Sequence, residues 1–124
     1  MFTILFYVDA QGNSPVLEMI DELSNTPGKE SRVRLNKVLD YISILETNGK
    51  QAGMPYMKHL QGDIWEIRPL RDRVLFAGAV NGKFVLLHHF MKKTQKTPPR
   101  EIEQAERELK DFVARGGFDD DENG

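Results

Sequence analysis

Basic side chains are concentrated in the middle of the chain, between Lys58 and Arg100. Residues 58–100 hold nine Lys and Arg against three Asp and Glu, which gives this segment a net charge of +6. Residues 1–57 hold five against seven and residues 101–124 hold three against nine, so these parts carry −2 and −6. The total of −2 over 124 residues therefore conceals a basic centre. Such a cluster indicates a surface that binds phosphate groups.

Three histidines lie in the same segment, at His59, His88 and His89. Imidazole titrates near neutral pH, so these side chains are candidates for general acid–base chemistry. His88 and His89 are neighbours on a predicted strand, so they point to opposite faces and one of them packs against helices. No HExxH or comparable spacing is present, so we predict no metal site and no cofactor. With no cysteine in the chain, disulfides, thiolate metal sites and a cysteine nucleophile are excluded.

The elements that must position these residues begin with a short apolar run at residues 2–8, which predicts a buried strand. Ser14-Pro15 then starts a short helix that extends to about Leu23 and buries Leu17 and Ile20. A second helix begins near Pro27 or Lys29 and ends at Asn48-Gly49. Its buried face is predicted from apolar residues that recur at three and four positions, namely Leu35, Val38, Leu39, Ile42 and Leu45.

In the second half of the chain the apolar period changes to two, which predicts strands. In Ile64–Arg68, Trp65 and Ile67 point to one face. Residues 73–80 and 83–91 form two further strands, joined at Asn81-Gly82 by a type I′ turn. A last helix opens at Thr97-Pro98-Pro99, and its shared apolar face consists of Ile102, Ala105, Leu109 and Phe112.

The predicted order is β-α-α-β-β-β-α, an α+β fold with one antiparallel sheet and its helices on one face. The other face would remain open and display the basic side chains. We predict a single domain over residues 1–115, followed by an acidic, disordered tail at 116–124. No apolar run is long enough to span a membrane, and the first residues lack the features of a signal peptide. Together with the absence of cysteine, this predicts a cytoplasmic protein without a membrane partner.

Several segments occur together in a known family. They are Lys58-His59-Leu60, GDIWEIR at 62–68, DRVLF at 72–76, LHHF at 87–90 and KKTQKTP at 92–98. With these segments at this spacing, the chain resembles the HigB-type branch of the RelE toxin superfamily, which includes many phage-related members. The resemblance extends from about Phe2 to Phe112 and agrees with the strand order of the RelE-like fold.

The resemblance implies a toxin of a type II toxin–antitoxin pair that inhibits translation. Such a toxin is a metal-independent endoribonuclease, or mRNA interferase, that enters the ribosomal A site and cuts the mRNA there. The implied partners are the ribosome, mRNA and a cognate helix-turn-helix antitoxin. DNA would be contacted only indirectly, through the antitoxin.

The resemblance also implies site residues. Arg68 and Arg73 would stabilise the charged phosphate, because arginine is a poor base but a good bidentate clamp. Lys92, Lys93 and His88 complete the implied catalytic set. The proton acceptor and donor stay open among Lys58, Lys92, Lys93 and the histidines. The implied RNA-binding residues are Lys58, His59, Phe90 and Lys96.

Alternatives stay open at several positions. Glu66 is either a base or an ion-pair partner that orients Arg68. Phe90 either stacks on an unpaired base or fills the edge of the core. The lysines at 92–96 are either functional or a solvated loop. At the level of the whole protein, the alternatives are a noncatalytic RNA- or ribosome-binding module on the same scaffold and a protein-interaction partner.

Overall fold

The computed structural model describes residues 1–120, which form three helices and five strands. A single 3-10 turn at Gly49–Ala52 follows the second helix. In chain order, the elements are β1 (Thr3–Phe6), α1 (Pro15–Asn25), α2 (Lys29–Asn48), β2 (Met57–Gln61), β3 (Ile64–Ile67), β4 (Asp72–Val80), β5 (Lys83–Met91) and α3 (Pro99–Ala114).

The five strands form one mixed sheet in the order β1-β5-β4-β3-β2. β1 runs parallel to β5, whereas the other three neighbouring pairs are antiparallel. The α+β class and the general order of elements are confirmed. The structure adds β2, an edge strand that the sequence did not predict. Only Met57 of this strand is buried, and its exposed polar residues conceal the apolar alternation.

The hairpin between β4 and β5 is built as predicted. Asn81 and Gly82 separate the two strands and have φ angles of 52° and 71°. Positive φ at both central residues is the requirement of a type I′ turn, which Asn-Gly meets at little cost. After two register shifts along the strand pair, Arg73 lies opposite Phe90 and Leu75 opposite His88.

One face of the sheet is covered by α1 and α2. Val74 and Phe76 of β4 belong to this core, together with Val38 and Leu45 of α2. In α1 the buried residues are Val16, Met19 and Leu23, which lie on one stripe at spacings of three and four. The predicted burial of Leu17 is wrong. Leu17 lies beside this stripe and is 43% exposed. The predicted burial of Leu39 in α2 is also wrong, since this side chain is 44% exposed.

The opposite face is covered by α3, which corrects the expectation that all helices share one face. Ile102, Ala105, Leu109 and Phe112 pack there on alternate sheet residues that include Leu75, Ala77, Val85 and Leu87. The amphipathic stripe of α3 was predicted, but the face that it covers is decided by packing. Consequently, the sheet is covered on both sides, and α3 begins beside the basic end of β5.

The segment after α3 folds back on the domain. Phe118 is only 7% exposed and packs edge-on against Phe112, with ring centroids 5.0 Å apart. Its carbonyl oxygen accepts hydrogen bonds from Asn81 Nδ2 and Lys83 Nζ. The expected disordered tail is therefore wrong for residues 116–120, whereas residues 121–124 lie outside the described part of the chain. Within residues 1–120, no helix has the length and apolarity needed to cross a bilayer.

Candidate functional site

Strands β3, β4 and β5 bring polar side chains together on the α3 face of the sheet, near the start of α3. Glu66 pairs in register with Leu75, Leu75 with His88, and Arg73 with Phe90. Because side chains alternate along a strand, these residues share the face of Leu75. Arg68 follows β3 directly. The cluster therefore unites four predicted site residues, Arg68, Arg73, His88 and Phe90.

Glu66 is a buried carboxylate at the centre of this cluster. Its Oε1 accepts a hydrogen bond of 2.6 Å from the Thr97 hydroxyl, which attaches the chain before α3 to β3. Its Oε2 lies 3.3 Å from Arg68 Nε. These contacts favour the ion-pair alternative, in which Glu66 orients Arg68. Arg68 also donates from Nη1 to the sulfur of Met54 at 3.2 Å.

Arg73 is buried and braces the turn before β4. Its Nη1 donates to the carbonyl oxygens of Leu70, at 2.8 Å, and Asp72, at 2.9 Å. Burial lowers the pKa of the guanidinium, although an arginine remains protonated at neutral pH. Its Nε and Nη2 donate to no group within residues 1–120. Arg73 is thus held in a fixed position and retains donors that form no hydrogen bond within residues 1–120. It is suited to act as a fixed positive charge.

His88 is held between two carboxylates of α3. Its Nε2 lies 2.9 Å from Glu101 Oε1, and its Nδ1 lies 3.9 Å from Glu108 Oε1. Burial raises the pKa of the Glu108 carboxyl. The hydrogen bond between His88 Nε2 and Glu101 connects β5 to α3, and Nδ1 is directed toward the buried Glu108 carboxylate, whose Oε1 has no hydrogen-bond partner within residues 1–120. Sequence reasoning missed Glu101 and Glu108, although their spacing with Ala105 places them on the buried stripe of α3.

His89 points to the opposite face, as the alternation predicted. Its Nε2 lies 2.8 Å from Asp72 Oδ1, and Arg34 of α2 donates to both oxygens of Asp72 at 2.8 and 3.0 Å. Burial alone would raise the pKa of Asp72, but the hydrogen bonds from His89 and Arg34 outweigh it and lower the pKa to about 2. This network anchors α2 to the strand that carries Arg73. Arg34 was missed because it precedes Asp72 by 38 residues.

The remaining predicted residues are divided between the two faces. Lys58 of β2 is exposed and pairs in register with Glu66, so it lies on the cluster face. His59 instead pairs with Trp65, with ring centroids 5.3 Å apart, and its Nε2 lies 2.8 Å from the Gly62 carbonyl oxygen. His59 therefore lies on the α1 and α2 face and outside the cluster.

Residues 92–98 form a basic loop beside the cluster. The backbone N–H of Lys92 donates to the Arg71 carbonyl oxygen at 2.7 Å, which fixes the start of the loop. Lys93 and Lys96 are exposed. None of the side chains of Lys92, Lys93 and Lys96 forms an ion pair within residues 1–120. The loop therefore provides available positive charge next to Arg68 and Arg73.

The described residues contain no group of three or more His, Cys, Asp or Glu side chains arranged to hold a metal ion. The cluster offers two cations held in place, Arg68 beside the buried Glu66 carboxylate and Arg73 by backbone carbonyl oxygens. Preorganised positive charge of this kind stabilises negative charge that develops on a phosphate.

A family model matches most of the chain. Residues 21–110 match the model of a family described as phage derived protein Gp49-like (DUF891). This range covers the helices, strands and basic loop that build the cluster. No curated protein matches the chain. Because the match covers most of the chain, the protein belongs to the phage-derived Gp49-like family, which is a toxin-like family.

Proposed function

We propose that the protein is the toxin of a type II toxin–antitoxin pair and cuts mRNA on the ribosome, as HigB-type toxins do. The observation that carries this proposal is the placement of Arg68 and Arg73 on one face of a rigid sheet, with the basic loop beside them. Membership of a toxin-like family supports it. The proposed partners are a helix-turn-helix antitoxin, the ribosome and mRNA.

The proposed reaction is an attack of the ribose 2′ oxygen on the neighbouring phosphorus. A bond forms between these atoms, the bond from phosphorus to the 5′ oxygen breaks, and a cyclic phosphate remains. Negative charge builds on the phosphate oxygens as this happens. Arg68 and Arg73 would neutralise this charge, and their fixed positions mean that little reorganisation is needed during the reaction.

Proton transfer completes the reaction, because the 2′ hydroxyl loses a proton and the departing 5′ oxygen gains one. We assign these roles to lysines rather than to His88, whose two nitrogens face Glu101 and Glu108. Lys58 lies on the cluster face, and Lys92 and Lys93 begin the basic loop. One of these lysines would accept the proton of the 2′ hydroxyl, and another would protonate the departing 5′ oxygen.

A second function, binding of RNA or the ribosome without cleavage, is favoured by one observation. His88 Nε2 is engaged by Glu101, and Arg73 donates two hydrogen bonds to its own chain, so these groups hold the fold as well as facing the cluster. A surface built in this way binds phosphate whether or not it also transfers protons.

The deciding experiment maps cuts in a defined mRNA by primer extension in a purified translation system. We expect wild-type protein to cut at fixed positions within codons. Arg73→Ala should reduce the cutting rate by at least about 100-fold, because it removes a preorganised charge from the phosphate. Arg68→Ala should act similarly without disturbing the turn that Arg73 braces.

Arg71→Ala is the matched control, because Arg71 is exposed and lies between the two arginines in sequence. It should cut like the wild type. Thermal unfolding verifies that each variant is folded. If folded wild-type protein makes no ribosome-dependent cut, the endoribonuclease proposal is wrong and the binding module takes its place.

A further inference from the structure

A cavity of about 410 Å³ opens between the end of β5, the basic loop and the first turn of α3. Its volume lies within the range of ~300–1,000 Å³ typical of small-molecule sites. The Thr97 hydroxyl, bound to Glu66, fixes the loop at the rim of this cavity. The walls combine apolar, cationic and anionic side chains, and the residues that matter here are Phe90, Met91, Lys93, Pro98, Arg100 and Glu101.

The apolar and cationic walls suit a nucleotide. Phe90 is half-buried, and its ring lies beside that of His88, with centroids 6.3 Å apart. An aromatic ring on the wall of a cavity offers a stacking surface for an unpaired base. Lys93 and Arg100 are exposed and form no ion pair within residues 1–120. They therefore offer charge to the phosphates on either side of that base.

Glu101 places a carboxylate on the wall of the cavity. Because this negative charge would repel a phosphate, it favours a base at this position. Its Oε1 faces His88 Nε2 at 2.9 Å, which fixes the orientation of the side chain. No side chain within residues 1–120 donates to Oε2, and each carboxylate oxygen accepts more than one hydrogen bond. Glu101 is thus an oriented acceptor on the wall of a cavity suited to a base.

Among the four bases, guanine complements a carboxylate best. Its Watson–Crick edge presents two adjacent donors, N1–H and N2–H, which match the two carboxylate oxygens. Adenine, cytosine and uracil each place an acceptor beside their donor, and this acceptor would face the negative charge. We propose that the cavity binds one unpaired guanine of the RNA, with Glu101 as the residue that determines specificity. This inference rests on the proposed RNA-directed function.

The test measures binding of four labelled pentamers of RNA that differ only in the central base, by fluorescence anisotropy at low salt and without ribosomes. We expect wild-type protein to bind the guanine pentamer about tenfold or more tighter than the others, as bidentate base recognition gives. Glu101→Gln should abolish this preference. The variant keeps an oxygen that accepts from His88, but one of its two acceptors becomes a donor. Glu103→Gln, an exposed change on the same helix, should retain the preference.

A second measurement needs no variant. Replacing the central guanine by inosine removes the 2-amino group, so binding to wild-type protein should weaken severalfold. Equal affinity for all four pentamers, or no measurable binding to any of them, would overturn the proposal, as would a guanine preference that survives Glu101→Gln. Because this assay involves no cleavage, its outcome is independent of the mapping of mRNA cuts. Ribosome-dependent cutting without a guanine preference would refute the proposed base recognition but not the proposed endoribonuclease function.

Discussion

Asp72 illustrates how much a single residue position decides in this protein. Its carboxylate is fully buried between α2 and the sheet and accepts from Arg34 on one side and faces His89 on the other. A buried charge of this kind is tolerated only when its oxygens are satisfied, and removal of one partner is costly. The next residue is Arg73, so the ion pair fixes the strand position from which the proposed phosphate contact is made.

The first residue-scale prediction concerns acid stability. The pKa of Asp72 in the folded protein is about 2, below its ordinary value of 3.8. Since folding favours the ionised form, the contribution of Asp72 is complete above about pH 4 and is lost as the pH falls to about 2. The shift corresponds to roughly 2 kcal/mol of unfolding free energy.

Asp72→Asn should therefore lower the free energy of unfolding at neutral pH by about 2 kcal/mol or more and flatten its dependence on pH in this window. Urea unfolding at a series of pH values measures both effects. Asp40→Asn, an exposed change on α2, is the control and should behave like the wild type. An unchanged acid transition in Asp72→Asn would contradict the buried ion pair.

At the scale of elements, the segment after α3 is part of the fold. Gly116 has a φ of 79°, which turns the chain back after the helix. Phe118 then fills the space between Phe112 and the β4–β5 hairpin, where Asn81 and Lys83 donate to its carbonyl oxygen. The glycines and aspartates of this segment predicted disorder. Residues 116–120 are instead ordered, because Phe118 packs against the domain.

The element-scale prediction follows from this packing. Phe118→Ala should lower the free energy of unfolding by about 3 kcal/mol, because it leaves a cavity between α3 and the hairpin. Chemical denaturation followed by circular dichroism measures the loss. Val113→Ala is the matched control on α3, since Val113 is 53% exposed, and its effect should be small. If both variants are equally stable, Phe118 does not hold the segment in place.

At the scale of the whole molecule, the total charge is small but the charged residues are distributed unevenly. The chain has a net charge of −2. Its basic side chains are nevertheless concentrated on the α3 face of the sheet, where Lys58 and the two cluster arginines lie with the basic loop beside them. Interactions of such a patch with RNA are local and screened by salt. The protein should therefore bind RNA through a limited number of phosphate contacts rather than through its overall charge.

The corresponding prediction is a salt dependence. For single-stranded RNA, each phosphate contact contributes about 0.7 to the slope of log K against log salt concentration. Replacing both Lys93 and Lys96 by Ala should weaken binding and reduce this slope by about 1.4. Lys110→Ala, an exposed change elsewhere on α3, should leave the slope unchanged. A double variant with the wild-type slope would show that the basic loop does not contact phosphate.

Local signals in the sequence predicted much of the fold. The type I′ hairpin, the C-terminal end of α2 and the start of α3 follow from Asn81-Gly82, Asn48-Gly49 and Pro99, because turn and cap chemistry acts over a few residues. Apolar periodicity predicted the stripe of α3 and the inward positions Trp65 and Ile67. Edge strand β2 was not predicted, because its mostly exposed side chains show little apolar periodicity.

The sequence by itself thus determined the α+β class, the order of the main elements and the basic centre. Only the tertiary structure decided which of the basic residues meet. His59 was separated from Lys58 by the alternation of β2, and His88 was engaged by Glu101 of α3. The contact of Thr97 with Glu66 joins residues 31 positions apart. Such contacts depend on sheet register and on the face that each helix covers, and neither is encoded in any short stretch of the chain.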